Sequence, residues 1–151
     1  MQQSFFSLVH FFDTNLIAHE IVHGLIALPF AYFLWRKTRN TRLVALLFFV
    51  TYFVDTDHLV DYFAFFGFVV DVPQMLAMKF FDASGHIYVP LHGWEYLVIL
   101  GVLTRKKGWK SLWAAILLGL SAHYIWDSIA VWNPLFYSLV IRASTGFTYF
   151  P

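Results

Sequence analysis

The chain has no cysteine, few charged residues, and no basic side chain inside any of its long apolar runs. Without thiols there are no disulfides and no thiolate metal sites, so a metal here must be held by nitrogen and oxygen. Asp, Glu, Lys and Arg make up 13% of 151 residues, 60% are hydrophobic, and the mean hydropathy is +0.64. That balance excludes an ordinary soluble domain and indicates an integral membrane protein. Also missing is a basic stretch ahead of the first apolar run. That run is followed by Arg36, Lys37, Arg39 and Arg42, not by a small-residue cleavage site, so the N-terminus is expected to be retained. There is no internal repeat and no low-complexity tract, and one domain over residues 1–151 is the economical reading.

Four apolar stretches, 14–35, 42–64, 89–104 and 111–132, have the length and composition of spans, the third being short. In lipid every backbone polar group must be satisfied within the segment, so the predicted fold class is all-α, a bundle of four transmembrane helices. Eight of the ten Lys and Arg residues lie in two loops, Arg36 to Arg42 and Arg105 to Lys110. The positive-inside rule makes both loops cytoplasmic and predicts N-out, C-out topology. Trp35, Trp109 and Trp113 flank these clusters as interfacial anchors, so nucleic acid is not an expected partner. Ser4 to Asp13, Gln74 to Phe81 and Leu135 to Ile141 are too short to cross and are predicted to lie along the outer surface, where His10 and Asp13 would be within reach of a site.

The polar residues within the spans fall at one depth. Thirteen residues separate Arg36 from His23, Arg42 from Asp55, Arg105 from His92 and Lys110 from His123. At about 1.5 Å per helical residue this depth is roughly 20 Å from the basic ends. Ionisable groups within spans are expensive and turn to the bundle interior, so one layer of them implies one buried polar site near the outer leaflet.

Each span supplies a motif. His19-Glu20-Ile-Val-His23 matches HExxH, with two imidazoles on one helical face for a metal and Glu20 as ligand or base. In Asp55-Thr-Asp57-His58-Leu-Val-Asp61, a regular helix at 100° per residue groups Asp57, His58 and Asp61 and leaves Asp55 about 60° beyond His58. His92-Gly-Trp-Glu95 and His123-Tyr-Ile-Trp-Asp127 each pair an imidazole with a carboxylate. The predicted metal ligands are therefore His19, His23, Asp57, His58, His92, Glu95, His123 and Asp127, with Glu20 or Asp55 as the proton acceptor. Six carboxylates with no cation inside the spans must either take protons or find cations, and two or three divalent ions would suit the inventory, zinc favoured and manganese or iron also compatible. Lys79 and Arg142, the outer-side cations, are candidate contacts for a substrate headgroup.

Through Val54-Asp-Thr-Asp-His58, Leu91-His-Gly-Trp-Glu95 and Gly119-Leu-Ser-Ala-His-Tyr-Ile-Trp-Asp127, the chain resembles the membrane-bound metal-dependent hydrolases of the LexA-regulated inner-membrane type. It is more distantly similar to the zinc-dependent phospholipases C and related nucleases. The family pattern carries a proline before the first Asp, where this chain has Val54, and a second histidine in the central motif, where Glu95 stands nearby. The resemblance supports Asp57, His58, His92, His123 and Asp127, whereas His19, Glu20, His23 and Glu95 rest on geometry. It implies a hydrolase in which metal-activated water attacks a phosphoester, with a lipid or lipid-linked substrate favoured by the site's depth. An intramembrane zinc protease using HExxH, a metal or proton carrier, and a histidine-rich di-iron oxidase are the competing readings. The carrier would need polar residues through the inner halves, yet Leu25 to Leu34, Leu43 to Phe49 and Leu97 to Leu103 are almost wholly apolar.

Overall fold

The computed structural model describes residues 16–76, 80–131 and 133–148, and the secondary structure among them is helical apart from an isolated bridge between His86 and Thr148. The main helices are α1 (Leu16–Thr38), α2 (Thr41–Phe53), α3 (His58–Phe66), α6 (Trp94–Lys107) and α7 (Leu112–Val131). Short helices α4 (Val72–Leu76), α5 (Phe80–Ser84) and α8 (Leu139–Ser144) lie between and after them, and single 3₁₀ turns occupy Val54–Asp57 and Pro134–Tyr137.

Three helical stretches are long and apolar enough to cross a membrane: Ile17–Thr38, the continuous rod Thr41–Phe66, and Leu112–Ala130. The third expected span differs. Residues 89–93 are not helical, and α6 has 14 residues, about 21 Å of rise against a hydrocarbon core of about 30 Å. Of the expected outer helix 74–81, residues 74–76 and 80–81 are helical in α4 and α5 and 77–79 lie outside the described residues, as does Ser4 to Asp13 with His10 and Asp13.

Helix α1 carries two stripes at helical spacing. Ile17, Ile21, Leu25, Leu28 and Tyr32 are exposed, as a lipid-facing stripe should be, and His23, Ala27, Ala31 and Leu34 are buried against the bundle. Helix α7 is the axle, packing on α1, α2 and α6. Its Ala114, Ala115, Leu118 and Ala122 meet Ala27, Ala31, Leu34 and Leu47 in one core, the small side chains letting backbones approach without a hydrophobic effect to drive them. Gly119 marks the closest approach, where a Cβ would sit 2.7 Å from the Leu47 carbonyl oxygen.

The Asn40 side chain caps α2 by accepting from Arg42 N at 3.0 Å, which closes the first basic loop. Phe33 meets Trp109 edge to face at 5.1 Å, bringing both basic loops to one end of the bundle. The histidines and carboxylates gather at the other.

Candidate metal centre

The centre is assembled from four places in the chain: α1, the 3₁₀ turn after α2, the loop before α6, and α7. Its nucleus is a pair of imidazoles. His123 on α7 has Nδ1 2.8 Å from the Thr51 carbonyl oxygen, and His92 in the loop has Nδ1 3.0 Å from Asp57 Oδ2. A carbonyl and a carboxylate only accept, so both Nδ1 atoms donate and, in the neutral rings, both Nε2 atoms keep lone pairs. Those Nε2 atoms face each other at 3.0 Å. Asp127 Oδ2 lies 2.9 Å from His123 Nε2 and 3.4 Å from His92 Nε2, and Asp55 Oδ1 lies 3.3 and 3.6 Å from the same two atoms. Two lone pairs and two carboxylate oxygens converge on one point, an arrangement that calls for a cation.

A second position adjoins the first. Asp127 turns Oδ1 toward α1, 3.2 Å from His23 Nε2 and 3.7 Å from His19 Nε2, while the His23 ring stacks on His123 with centroids 4.0 Å apart. A third grouping, Asp55 with His58 and His92, completes the cluster. Each of these groupings, including His23 with Asp55 and His123, can hold a metal ion. His23, His92, His123 and Asp127 are buried, whereas His19, Asp55 and His58 form a partly open rim. Glu20 is near enough to Asp55 for their charges to interact.

Several expected ligands take other parts. Asp55, expected as a base beyond the ligand sector, stands in the cluster, and Asp57, expected as a ligand, stands behind His92. The 3₁₀ turn is the reason: at three residues per turn, i and i+3 eclipse, so Asp55 aligns with His58 at 3.7 Å. Asp57 Oδ2 accepts from both His92 Nδ1 and Leu91 N, the outer-shell role that fixes a ligand's tautomer. Glu95 is not brought to the cluster. Its carboxylate accepts from Ser138 Oγ at 2.6 Å, Leu139 N at 3.1 Å and Val140 N at 3.2 Å, capping the first turn of α8.

His19 sits in the cluster with a restricted tautomer. Trp126 Nε1, which only donates, lies 3.0 Å from His19 Nδ1, so the neutral ring carries its hydrogen on Nε2 and presents a donor, not a lone pair. Arg142, expected near a headgroup, is buried with its Nη2 donating to the carbonyl oxygens of Val89 and His92, and burial lowers its pKa. Lys79 lies outside the described residues.

The loop that carries His92 is held from all sides. Asp61 accepts from Tyr88 N and Val89 N, Asp57 from Leu91 N, and the Tyr124 hydroxyl from Gly93 N. The Tyr124 hydroxyl donates to the Leu91 carbonyl oxygen, and the Tyr96 hydroxyl donates to that of Pro90. Val89 sits at φ 27°, a conformation a β-branched residue holds only where its surroundings over-determine it. Thr51, Trp126, Tyr124 and Arg142 are the supporting residues the motifs did not reveal. One signal was available: Trp126 is three residues after His123 and seven after Gly119, on the face α7 turns inward.

No family model, no curated protein and no solved structure matches this chain.

Proposed function

We propose that the protein is a membrane-embedded metal-dependent hydrolase that cleaves a phosphoester in a lipid or lipid-linked substrate, with two or three divalent ions, zinc favoured. The observation that carries this reading is the opposed Nε2 pair of His92 and His123, each with Nδ1 committed to an oxygen. His92, His123, Asp55 and Asp127 would hold one ion, and His23 with Asp127 would contribute to holding a second. Bound there, the ions would supply an activated water and a clamp for phosphoryl oxygens.

The residues have distinct tasks in this reading. Glu20, beside Asp55 on the open rim, accepts the proton of the attacking water. His19, whose Nε2 lies 2.9 Å from His23 Nε2 and 3.7 Å from Asp127 Oδ1, would present Nε2–H at the second position as a hydrogen-bond donor to the leaving oxygen. A zinc protease needs both imidazoles of HExxH as ligands, and the Trp126 indole opposes that for His19. A carrier needs a polar route onward, but Ala27, Ala31, Leu34 and Leu47 close the bundle beneath the cluster.

The rim adjoins the exposed apolar residues Ile17, Ile21, Leu59 and Val60, which favours a substrate arriving from the bilayer. Residues 85–93 and α6 together form the fourth crossing, which sets both basic loops in the cytoplasm and the cluster toward the outer face of the inner membrane. Metal analysis of detergent-purified protein by mass spectrometry tests the centre: zinc or manganese above one ion per chain is expected, and an iron-only composition overturns it. Chelator-sensitive phosphate release from phosphatidic acid in mixed micelles tests the reaction class.

A further inference from the structure

At the end of the bundle opposite the metal centre, α6 and α7 leave a groove of about 430 Å³ lined by Gly101, Thr104, Arg105, Gly108, Trp109 and Leu117. Gly101 contributes no side chain, and a Cβ there would meet nothing within 4 Å. Thr104 is 4% exposed, yet its Oγ1 has no hydrogen-bond partner. Buried hydroxyls on helices ordinarily bond back to the carbonyl four residues earlier, as Thr38, Thr51 and Ser121 do here. A hydroxyl left unpaired at the wall of a groove calls for a partner from outside the chain.

The charge at this end points the same way. Arg36, Lys37, Arg39, Arg42, Arg105, Lys106, Lys107 and Lys110 crowd the two loops, which contain no Asp or Glu. Every ion pair among the described residues involves histidine, so none of these eight cations is paired with a carboxylate among them. Trp109, edge to face with Phe33, supplies the amphipathic surface typical of the headgroup level.

We propose that this groove binds an anionic phospholipid. The phosphate lies against Arg105 and the basic loops, where juxtamembrane cations favour acidic headgroups. Thr104 Oγ1 donates to a glycerol-ester carbonyl oxygen, and one acyl chain runs over Gly101 beside Leu117. The bound lipid thickens the bundle where α6 is too short to cross by itself and ties α6 to α7.

The test uses the full chain in nanodiscs of mixed phosphatidylcholine and phosphatidylglycerol, extracted into detergent and examined by native mass spectrometry. Phosphatidylglycerol is expected to survive delipidation while phosphatidylcholine is lost. Thr104→Val, which keeps the shape of the side chain, and Arg105→Gln should each weaken retention by about tenfold, the loss of one good polar contact. Gly101→Leu, which fills the groove, should abolish it, while metal content at the far end reports that the variant is folded. Equal retention of the two lipids overturns the proposal. So does wild-type retention in both Thr104→Val and Gly101→Leu, or displacement of the lipid by free inorganic phosphate.

Discussion

His92 and His123 bring their Nε2 atoms to 3.0 Å and, in the neutral rings, neither Nε2 carries a hydrogen, because Nδ1 donates to Asp57 in one and to the Thr51 carbonyl oxygen in the other. Two neutral acceptors at that separation repel unless a cation stands between them. Replacing His123 and Asp127 with alanine should therefore lower metal content, measured by mass spectrometry on purified protein. Unchanged stoichiometry would remove both from the centre.

Asp57 supports His92 without entering the cluster. Asp57→Asn keeps an oxygen for Leu91 N and His92 Nδ1 but removes the charge, and should weaken metal affinity by about 10-fold to 100-fold. Competition against a calibrated zinc chelator measures this. If the variant loses metal as completely as His92→Ala, Asp57 is a direct ligand and the assignment of roles fails.

Where the expectations and the structure part company, backbone geometry and distant chain segments are responsible. His23, Asp55 and His123 come together as their equal spacing predicts, because α1, the rod Thr41–Phe66 and α7 are helical through those positions. The angular grouping of Asp57 with His58 differs because a single 3₁₀ turn changes 100° per residue to 120°, and nothing in Val54-Asp-Thr-Asp57 announces that turn. His92 reached the layer from a loop, not from a helix, held there by Asp61, Tyr124 and Arg142. Glu95 was drawn away by α8, some 43 residues downstream in the chain. Composition and hydropathy revealed the helical class and the membrane character, but local patterns carry no information on which loop a carboxylate will tether.

The Trp126 hydrogen bond separates His19 from the ligands. His19→Ala should leave zinc between His92 and His123 in place while lowering chelator-sensitive phosphate release by about 100-fold or more, the scale of a lost hydrogen bond to the transition state. Trp126→Phe frees His19 Nδ1 and should lower release less, with metal content unchanged. Loss of the His92–His123 metal in His19→Ala would make His19 a ligand after all.

Glu95 is assigned to the C-terminal helix, and Glu95→Gln tests it. Loss of a charged cap shared by Ser138, Leu139 and Val140 should lower stability by about 1 to 3 kcal/mol, read as a lower thermal midpoint in detergent. Metal stoichiometry at saturating zinc should stay at the wild-type value. A reduced ion count with an unchanged midpoint would return Glu95 to the metal centre.

The clamp on the His92 loop has a consequence for biosynthesis. Arg142 holds the carbonyl oxygens of Val89 and His92, so a residue emerging late from the ribosome fixes a ligand made some fifty residues earlier. Helices α1, α2 and α7 can enter the bilayer before the loop has its final shape. A nascent chain halted before Arg142 would lack the clamp on the His92 arm of the cluster, so any metal loading there should follow synthesis of Arg142.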